Sequence, residues 1–305
     1  MKVVVTGATG LIGSALVPVL LERGDEVVVL TRDAARAKAK LGVTAVTADL
    51  ESPGAWTDTL AGATAIIHLA GEPVAAKRWD SRQKQIVRDS RVEATRTLVE
   101  QIAKLPEASR PRTLISASGT DYYPFALSGP FDDDEVTERD PAGDSFLARV
   151  CRDWEAEANE AKAAGLRVAT MRTGMVLARG GALVKMTTPF KFFVGGKLGN
   201  GKQWVSWIHL DDAVAAYATA VHDDRYAGAI NLVTDSVRNR ELATAIGKAT
   251  GRPSLIPVPG LALKLAVGEL APYILQGRRV VPKRLRDLGF TFKHRELEAA
   301  VRDAM

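Results

Sequence analysis

The chain has 305 residues, 46% of them apolar and 25% charged, with a formal net charge of +5. That is enough apolar material for one large or two modest domains, at roughly 100–200 residues each. No stretch stays apolar for the roughly 18–20 residues a membrane span needs, the basic residues form no block that would mark a nucleic-acid partner, and the single Cys151 excludes an internal disulfide framework or a cysteine metal cluster.

Met1-Lys2 leads directly into a strand-like run over 2–6, so no targeting segment is expected there and a reducing, cytoplasmic setting fits best. A glycine-rich turn and a helical stretch to Arg23 follow. Further short apolar runs fall at Val27–Leu30, Ala45–Thr47, Ala65–His68, Thr113–Ala117 and Val168–Met171. Longer segments with helical spacing separate them, among them Asp80–Leu105 and Ser145–Ala164. This alternation predicts βαβ units, hence an α/β fold with a doubly wound parallel sheet of Rossmann type over residues 1–172. After Arg172 the pattern weakens. Residues 178–205 are rich in Gly, Lys and aromatics, 252–260 carry three prolines, and a cationic, helix-like stretch runs from Leu261 to Leu288. Residues 173–305 are therefore expected to form a smaller, irregular substrate-binding portion, with about 207–235 returning to the main sheet. A crevice between the two portions is the expected site.

The segment Thr6-Gly7-Ala8-Thr9-Gly10-Leu11-Ile12-Gly13 follows a strand and opens a helix. Gly7 lets the chain turn off the strand, Gly10 lets backbone approach a pyrophosphate, and Gly13 lets helix and sheet pack closely. The phosphates then meet the free N–H groups at the positive helix end. Position after the first strand makes this a strong dinucleotide signal. The second strand ends at Leu30 and continues Thr31-Arg32 rather than with the acidic residue that would hold an NAD ribose. A neutral Thr31 followed by a guanidinium, with Arg36 one turn on, suits a 2′-phosphate. NADP(H) is therefore favoured over NAD(H). Asp49-Leu50, after the third strand, is placed for the adenine edge.

With these residues, the chain resembles the extended short-chain dehydrogenase/reductases of the sugar-nucleotide epimerase-like branch. Gly7-x-x-Gly10-x-x-Gly13, Asp49-Leu50, His68-Leu69-Ala70-Gly71 and Ser116-Ala117-Ser118 fall where that family has them. More narrowly, it is similar to the atypical bacterial and mitochondrial "epimerase family proteins". That match rests on 116–123, on Phe146-Leu147-Ala148 with Trp154-Glu155, on 201–209, and on 282–292. The resemblance implies a nicotinamide cofactor, with Leu69, Ala70, Gly71 and Glu72 beside it, and a C-terminal portion closing over a substrate that the resemblance leaves undefined; a small polar molecule is expected, with a sugar-nucleotide-like one among the alternatives. A homodimer through the 80–105 helix is allowed, as in related proteins. No metal, membrane or nucleic-acid partner is implied.

One family feature is missing. The family uses a Tyr as general acid/base and a Lys four residues later, whose charge lowers the Tyr pKa. Tyr122, Tyr123, Tyr217, Tyr226 and Tyr273 are followed at that spacing by Ala, Leu, Val, Ile and Gly. Aligned through Trp154-Glu155, the Tyr and Lys slots fall near Phe146 or Leu147 and near Val150 or Cys151. Ser118, Tyr122, Tyr123 and His209 are the remaining candidates for polarising a carbonyl. Arg172, Gln203, Trp204 and Trp207 are the candidates for holding substrate, by charge, amide and indole N–H, and ring stacking. Arg278, Arg279, Lys283, Arg284 and Arg286 form a cationic cluster suited to a diphosphate, although one helix must turn half of them to solvent. Two readings stay open: an NADP(H)-dependent oxidoreductase or epimerase-like enzyme, and a non-catalytic NADP(H)-binding sensor or scaffold.

Overall fold

The computed structural model describes residues 1–125 and 132–305. Its strands, in chain order, are β1 (Lys2–Thr6), β2 (Glu26–Thr31), β3 (Thr44–Thr47), β4 (Ala65–His68), β5 (Thr113–Gly119), β6 (Glu135–Val136), β7 (Arg167–Thr173), β8 (Met175–Leu177), β9 (Trp204–His209), β10 (Gly228–Leu232), β11 (Asp235–Arg238) and β12 (Arg279–Val280). The helices are α1 (Leu11–Glu22), α2 (Ala34–Leu41), α3 (Ser81–Asp89), α4 (Val92–Lys104), α5 (Phe146–Glu160), α6 (Gly181–Lys191), α7 (Leu210–His222), α8 (Asn239–Thr250), α9 (Gly260–Val267), α10 (Ala271–Leu275), α11 (Lys283–Asp287) and α12 (Leu297–Asp303).

Seven strands form a parallel sheet in the order β10-β7-β5-β4-β1-β2-β3. The β-branched run Val3-Val4-Val5 makes β1 central, because alternate residues bury on both faces. Val3 and Val5 join Leu16, Val17 and Leu20 of α1 and Tyr217 of α7. Val4 joins Leu98 and Ile102 of α4 and Ala158 of α5 on the other face. Strand order reverses beside β1, with β2 on one side and β4 on the other, which opens a crevice at the carboxyl ends of the strands.

Caps set several helix ends. Asp33, Asp80 and Ser145 each accept the N–H three residues on, from Arg36, Gln83 and Ala148. The single helix expected over 80–105 is two, because at the junction the Arg91 N–H turns to the Arg88 carbonyl and interrupts the i to i−4 ladder. The expected cationic helix over 261–288 is also broken. Gly268 adopts φ +61° after α9, α10 ends at Gln276, and β12 precedes α11.

The second portion holds the small sheet β11-β9-β8, and its β12 pairs with β6 of the first portion. Its core gathers Leu177, Leu183, Phe190, Trp207, Leu242, Ile246 and Val301. After β9 the chain crosses back, so α7 packs on α1 and β10 completes the large sheet beside β7. Among the described residues, no helix is long and apolar enough to cross a membrane.

Candidate functional site

The glycine turn is built by close backbone approach. Gly7 has φ +66°, and a Cβ there would stand 2.6 Å from the Leu69 carbonyl carbon and 2.7 Å from the Ala70 nitrogen. A Cβ at Gly13 would meet the Gly7 oxygen at 2.5 Å. Both positions must be glycine for the turn to lie against the loop after β4. Gly10 differs: its missing Cβ would meet only the Gly7 oxygen, at 3.2 Å, so this side of the turn is open. No side chain caps α1 at Gly10, which leaves its first N–H groups, beginning with Leu11 and Ile12, for a ligand. Thr6 Oγ1 accepts the Ala70 N–H at 3.2 Å and contacts buried His68 at 2.7 Å. Burial, and the nearby Arg91 cation, push the His68 pKa down to about 4, so it holds the loop as a neutral ring. These residues fit a dinucleotide pyrophosphate.

Thr31 ends β2 half-buried, while Arg32 and Arg36 are exposed beside it. A cation the sequence reading passed over joins the turn: Lys40 Nζ donates to the Thr9 carbonyl at 3.0 Å. Asp49 caps its own turn, accepting from Glu51 N and Ser52 Oγ, while Leu50 packs half-buried against the core. Gly71 is exposed where a Cβ would touch the Arg91 guanidinium at 3.1 Å. Glu72 gives its carbonyl to Arg91 and its N–H to Ser90.

Beyond the turn lies a cavity of about 960 Å3, bounded by the loops after β1, β4, β5 and β7 on one side and by α6, β9, α8, α9 and α10 on the other. Its wall is mostly apolar. Among the polar groups that reach it, Asp121 stands out. It is a solvent-exposed residue just past β5, next to Thr120, and it lines the cavity beside the Arg91 guanidinium. Desolvation by the protein around it raises its pKa to about 6, against the pull of the Arg91 guanidinium. Arg91, its own pKa lowered by burial, also lines the cavity and lies over the Trp154 ring at 5.4 Å. Neither Arg91 nor Asp121 was singled out from sequence. The only local signal was an acid directly after a strand-end Ser-Gly-Thr.

Several expected site residues are committed elsewhere. Ser118 Oγ donates to Glu155 at 2.7 Å. Arg172 grips both Glu155 oxygens at 2.8 Å and donates to the Tyr123 hydroxyl at 2.9 Å, and that hydroxyl donates to Asn231 at 2.6 Å. The Tyr122 ring stacks on the same guanidinium, 3.4 Å from its carbon. Ser118, Arg172 and Tyr122 thus form a buried network beneath the cavity and do not line it. Tyr123 lines it with its ring, but burial drives its hydroxyl pKa up. The physical reason is charge pairing: a buried guanidinium is stable only with a carboxylate and hydrogen bonds around it.

Gln203 is corrected likewise, since its amide donates to the carbonyls of Leu198 and Ile274 in the interior. Trp207 is fully buried in the second core. Trp204 does reach the cavity, with Nε1 donating to Asp132 O at 2.8 Å and Arg238 stacked on its ring. His209 lies outside the cavity lining. Its Nδ1 accepts the Asp211 N–H at 3.2 Å at the start of α7, and its ring stacks on His294 with centroids 3.6 Å apart. His209, Asp211, His294 and Asp303 cluster there. Lys293 Nζ holds Asp211 at 2.6 Å and the Lys293 and His294 N–H groups donate to Asp212, so the cluster clamps α7 to the C-terminal segment.

The expected Tyr and Lys slots fall on one face of α5. Leu147 lines the cavity, and Cys151 is buried beside Gly119, where its sulfur would touch a Cβ at 3.6 Å. Burial, aided by Asp121 and Glu155, pushes the thiol pKa up to about 12, so it stays protonated. Of the cationic cluster, Arg278 alone faces the cavity. Lys283 pairs with Asp287, Arg279 with Glu135, and Arg284 donates to the Arg225 carbonyl.

A parallel seven-stranded sheet with a glycine turn after its first strand and a cavity at its carboxyl edge defines a dinucleotide-binding dehydrogenase-type fold. The chain belongs to the NAD dependent epimerase/dehydratase family, whose model matches residues 3–232, and a domain of unknown function, DUF1731, matches residues 258–304. It is 40% identical over 311 residues to the chloroplastic epimerase family protein SDR39U1 homolog of Arabidopsis thaliana, covering 100% of this chain and 87% of that one. With Bacillus subtilis epimerase family protein YfhF it shares 34% identity over 302 residues, covering 99% and 97%. Human epimerase family protein SDR39U1 (isoform 2), solved with NADPH, superposes with a TM-score of 0.85 at 32% identity, covering 100% and 99%. MoeE5 in complex with UDP-glucuronic acid and NAD, at 23% identity, TM-score 0.77 and 99% and 98% coverage, shares the fold.

Proposed function

We propose that this protein is an NADP(H)-dependent oxidoreductase in which Asp121 handles the proton of a substrate carbonyl or alcohol. The observation that carries this reading is that the Asp121 carboxyl, with Arg91 near it, lines a cavity that adjoins the glycine turn at Leu11. A bound nicotinamide supplies or accepts a hydride. Asp121, protonated, gives its proton to the carbonyl oxygen as hydride reaches the carbonyl carbon, and it recovers the proton from water; oxidation runs the reverse way. Arg91 keeps the carboxylate form accessible, and the apolar wall excludes water. Asp121 would thus take over the proton transfer that the family assigns to Tyr.

Preference for the phosphorylated cofactor rests on Thr31, Arg32 and Arg36, with Lys40 adding charge, and on the NADPH held by the human relative. The buried, protonated Cys151 suits a reducing compartment such as the cytoplasm, and a homodimer through the outer face of α3 and α4 is part of the same reading. A non-catalytic NADP(H) sensor is the rival.

The test is NADPH consumption with a panel of aldehydes and ketones, wild type against Asp121→Asn. Turnover should fall about 10^2–10^4-fold in the variant, with NADPH affinity unchanged. Equal turnover in the two proteins would remove Asp121 from the chemistry. No carbonyl-dependent oxidation by wild type, despite tight NADPH binding, would favour the sensor.

A further inference from the structure

Arg278 is a buried cation with no ion pair among the described residues. Gly277 lets the chain pass directly against the Trp204 carbonyl, where any Cβ would collide, and this sets Arg278 into the cavity wall. Its residue exposure is 5%. Nε donates to the Pro124 carbonyl, while both terminal nitrogens lack a hydrogen-bond partner among the described residues. Arg172, buried to the same degree, shows how this fold treats a guanidinium meant only for structure: a bidentate carboxylate, a tyrosine hydroxyl and a stacked ring surround it. Leaving the paired N–H edge of Arg278 bare is costly unless something arrives to occupy it.

We propose that Arg278 is the anchor for a carboxylate on the substrate, and that the substrate is an oxyanion carried on an apolar body. The planar fork of NH1 and NH2 matches a carboxylate bidentately. The acids whose charge bears on Arg278 are Asp132, Asp134 and Asp140, whereas Asp121 bears on Arg91. Those three acids favour a singly charged carboxylate over a doubly charged phosphate by like-charge repulsion. The cavity that Arg278 and Asp121 share is also lined by Phe125, Leu147, Tyr273, Ile274 and Val205, which offer an aliphatic or aromatic body mostly apolar contact. That lining departs from the small polar substrate expected from sequence. This inference rests on the oxidoreductase reading for the identity of the reacting end, but the anchoring contact can be measured without turnover.

The experiment is calorimetric titration of NADPH-saturated protein, and of protein without cofactor, with octanoate, octanamide and octyl phosphate as probes. Octanoate should bind at least about 10-fold more tightly than octanamide, and Arg278→Met should erase that preference, a loss of about 10–100-fold for a charge-assisted bidentate contact. Arg278→Lys should recover only part of it. Arg278→Met should also melt no lower than wild type, because it removes an uncompensated buried charge, with NADPH affinity unchanged; these readouts separate an anchor from a structural residue. Equal binding of acid and amide, unchanged octanoate binding in Arg278→Met, or tighter binding of the octyl phosphate would each overturn the proposal. Arg278-dependent octanoate binding in a protein that fails to bind NADPH would instead overturn the cofactor reading and leave the anchor standing.

Discussion

Glu155→Gln measures what the network beneath the cavity contributes. Glu155 and Arg172 are both buried and share two contacts of 2.8 Å. The amide keeps the side-chain shape but withdraws the negative charge and turns a donor toward the guanidinium. Removing one partner of a buried pair costs about 3–5 kcal/mol, because the other charge is left uncompensated. With about 2.1 cal/mol/K of unfolding entropy per residue over 305 residues, each kcal/mol is worth about 1.6 °C. The expected loss is therefore about 5–8 °C in Tm by scanning calorimetry. Arg172→Met should lose a similar amount, since Glu155 would keep only Ser118 as a side-chain partner. The double variant Glu155→Gln with Arg172→Met removes both charges and should melt above either single variant. A loss under about 2 °C for Glu155→Gln, or a double variant that melts as the sum of the two singles, would refute the assignment of Arg172 to structure.

Four other outcomes are expected. For reduction, kcat/KM should fall as pH rises through about 6, where Asp121 gives up its proton, and for oxidation it should rise over the same range; a flat profile would exclude this carboxyl. The same raised pKa means that the folded chain holds this proton more tightly than the unfolded chain. Its stabilising effect is complete below the ordinary carboxylate range and is lost as pH rises through about 6, so Asp121→Asn should raise Tm at pH 8 and leave it unchanged at pH 4. Arg32→Glu should weaken NADPH more than NADH in fluorescence titrations, and equal losses would take Arg32 out of the phosphate site. Gly10→Val should abolish binding of both cofactors while the protein still folds, because only the Gly7 oxygen lies near the new Cβ; retained binding would sink the turn assignment.

What the sequence by itself determined was the alternation of strands and helices and the turn after the first strand, while the breaks within 80–105 and 261–288 escaped it. Val3-Val4-Val5 followed by Gly7, Gly10 and Gly13 encodes a buried strand, a tight turn and an open helix end within a dozen residues, so the glycine turn was legible without coordinates. The missing Tyr-Lys pair was equally plain, since it is a spacing. Tertiary structure decided which polar groups are spent and which are free. Ser118, Tyr123, Glu155 and Arg172 come from separate elements and satisfy one another only after β5, α5 and β7 have packed, so residues that read as catalytic became structural. Arg91, Asp121 and Arg278, far apart in sequence, meet one cavity, where desolvation raises one pKa and burial leaves one guanidinium bare. Burial and hydrogen-bond satisfaction belong to the packed molecule, and no window of sequence contains them.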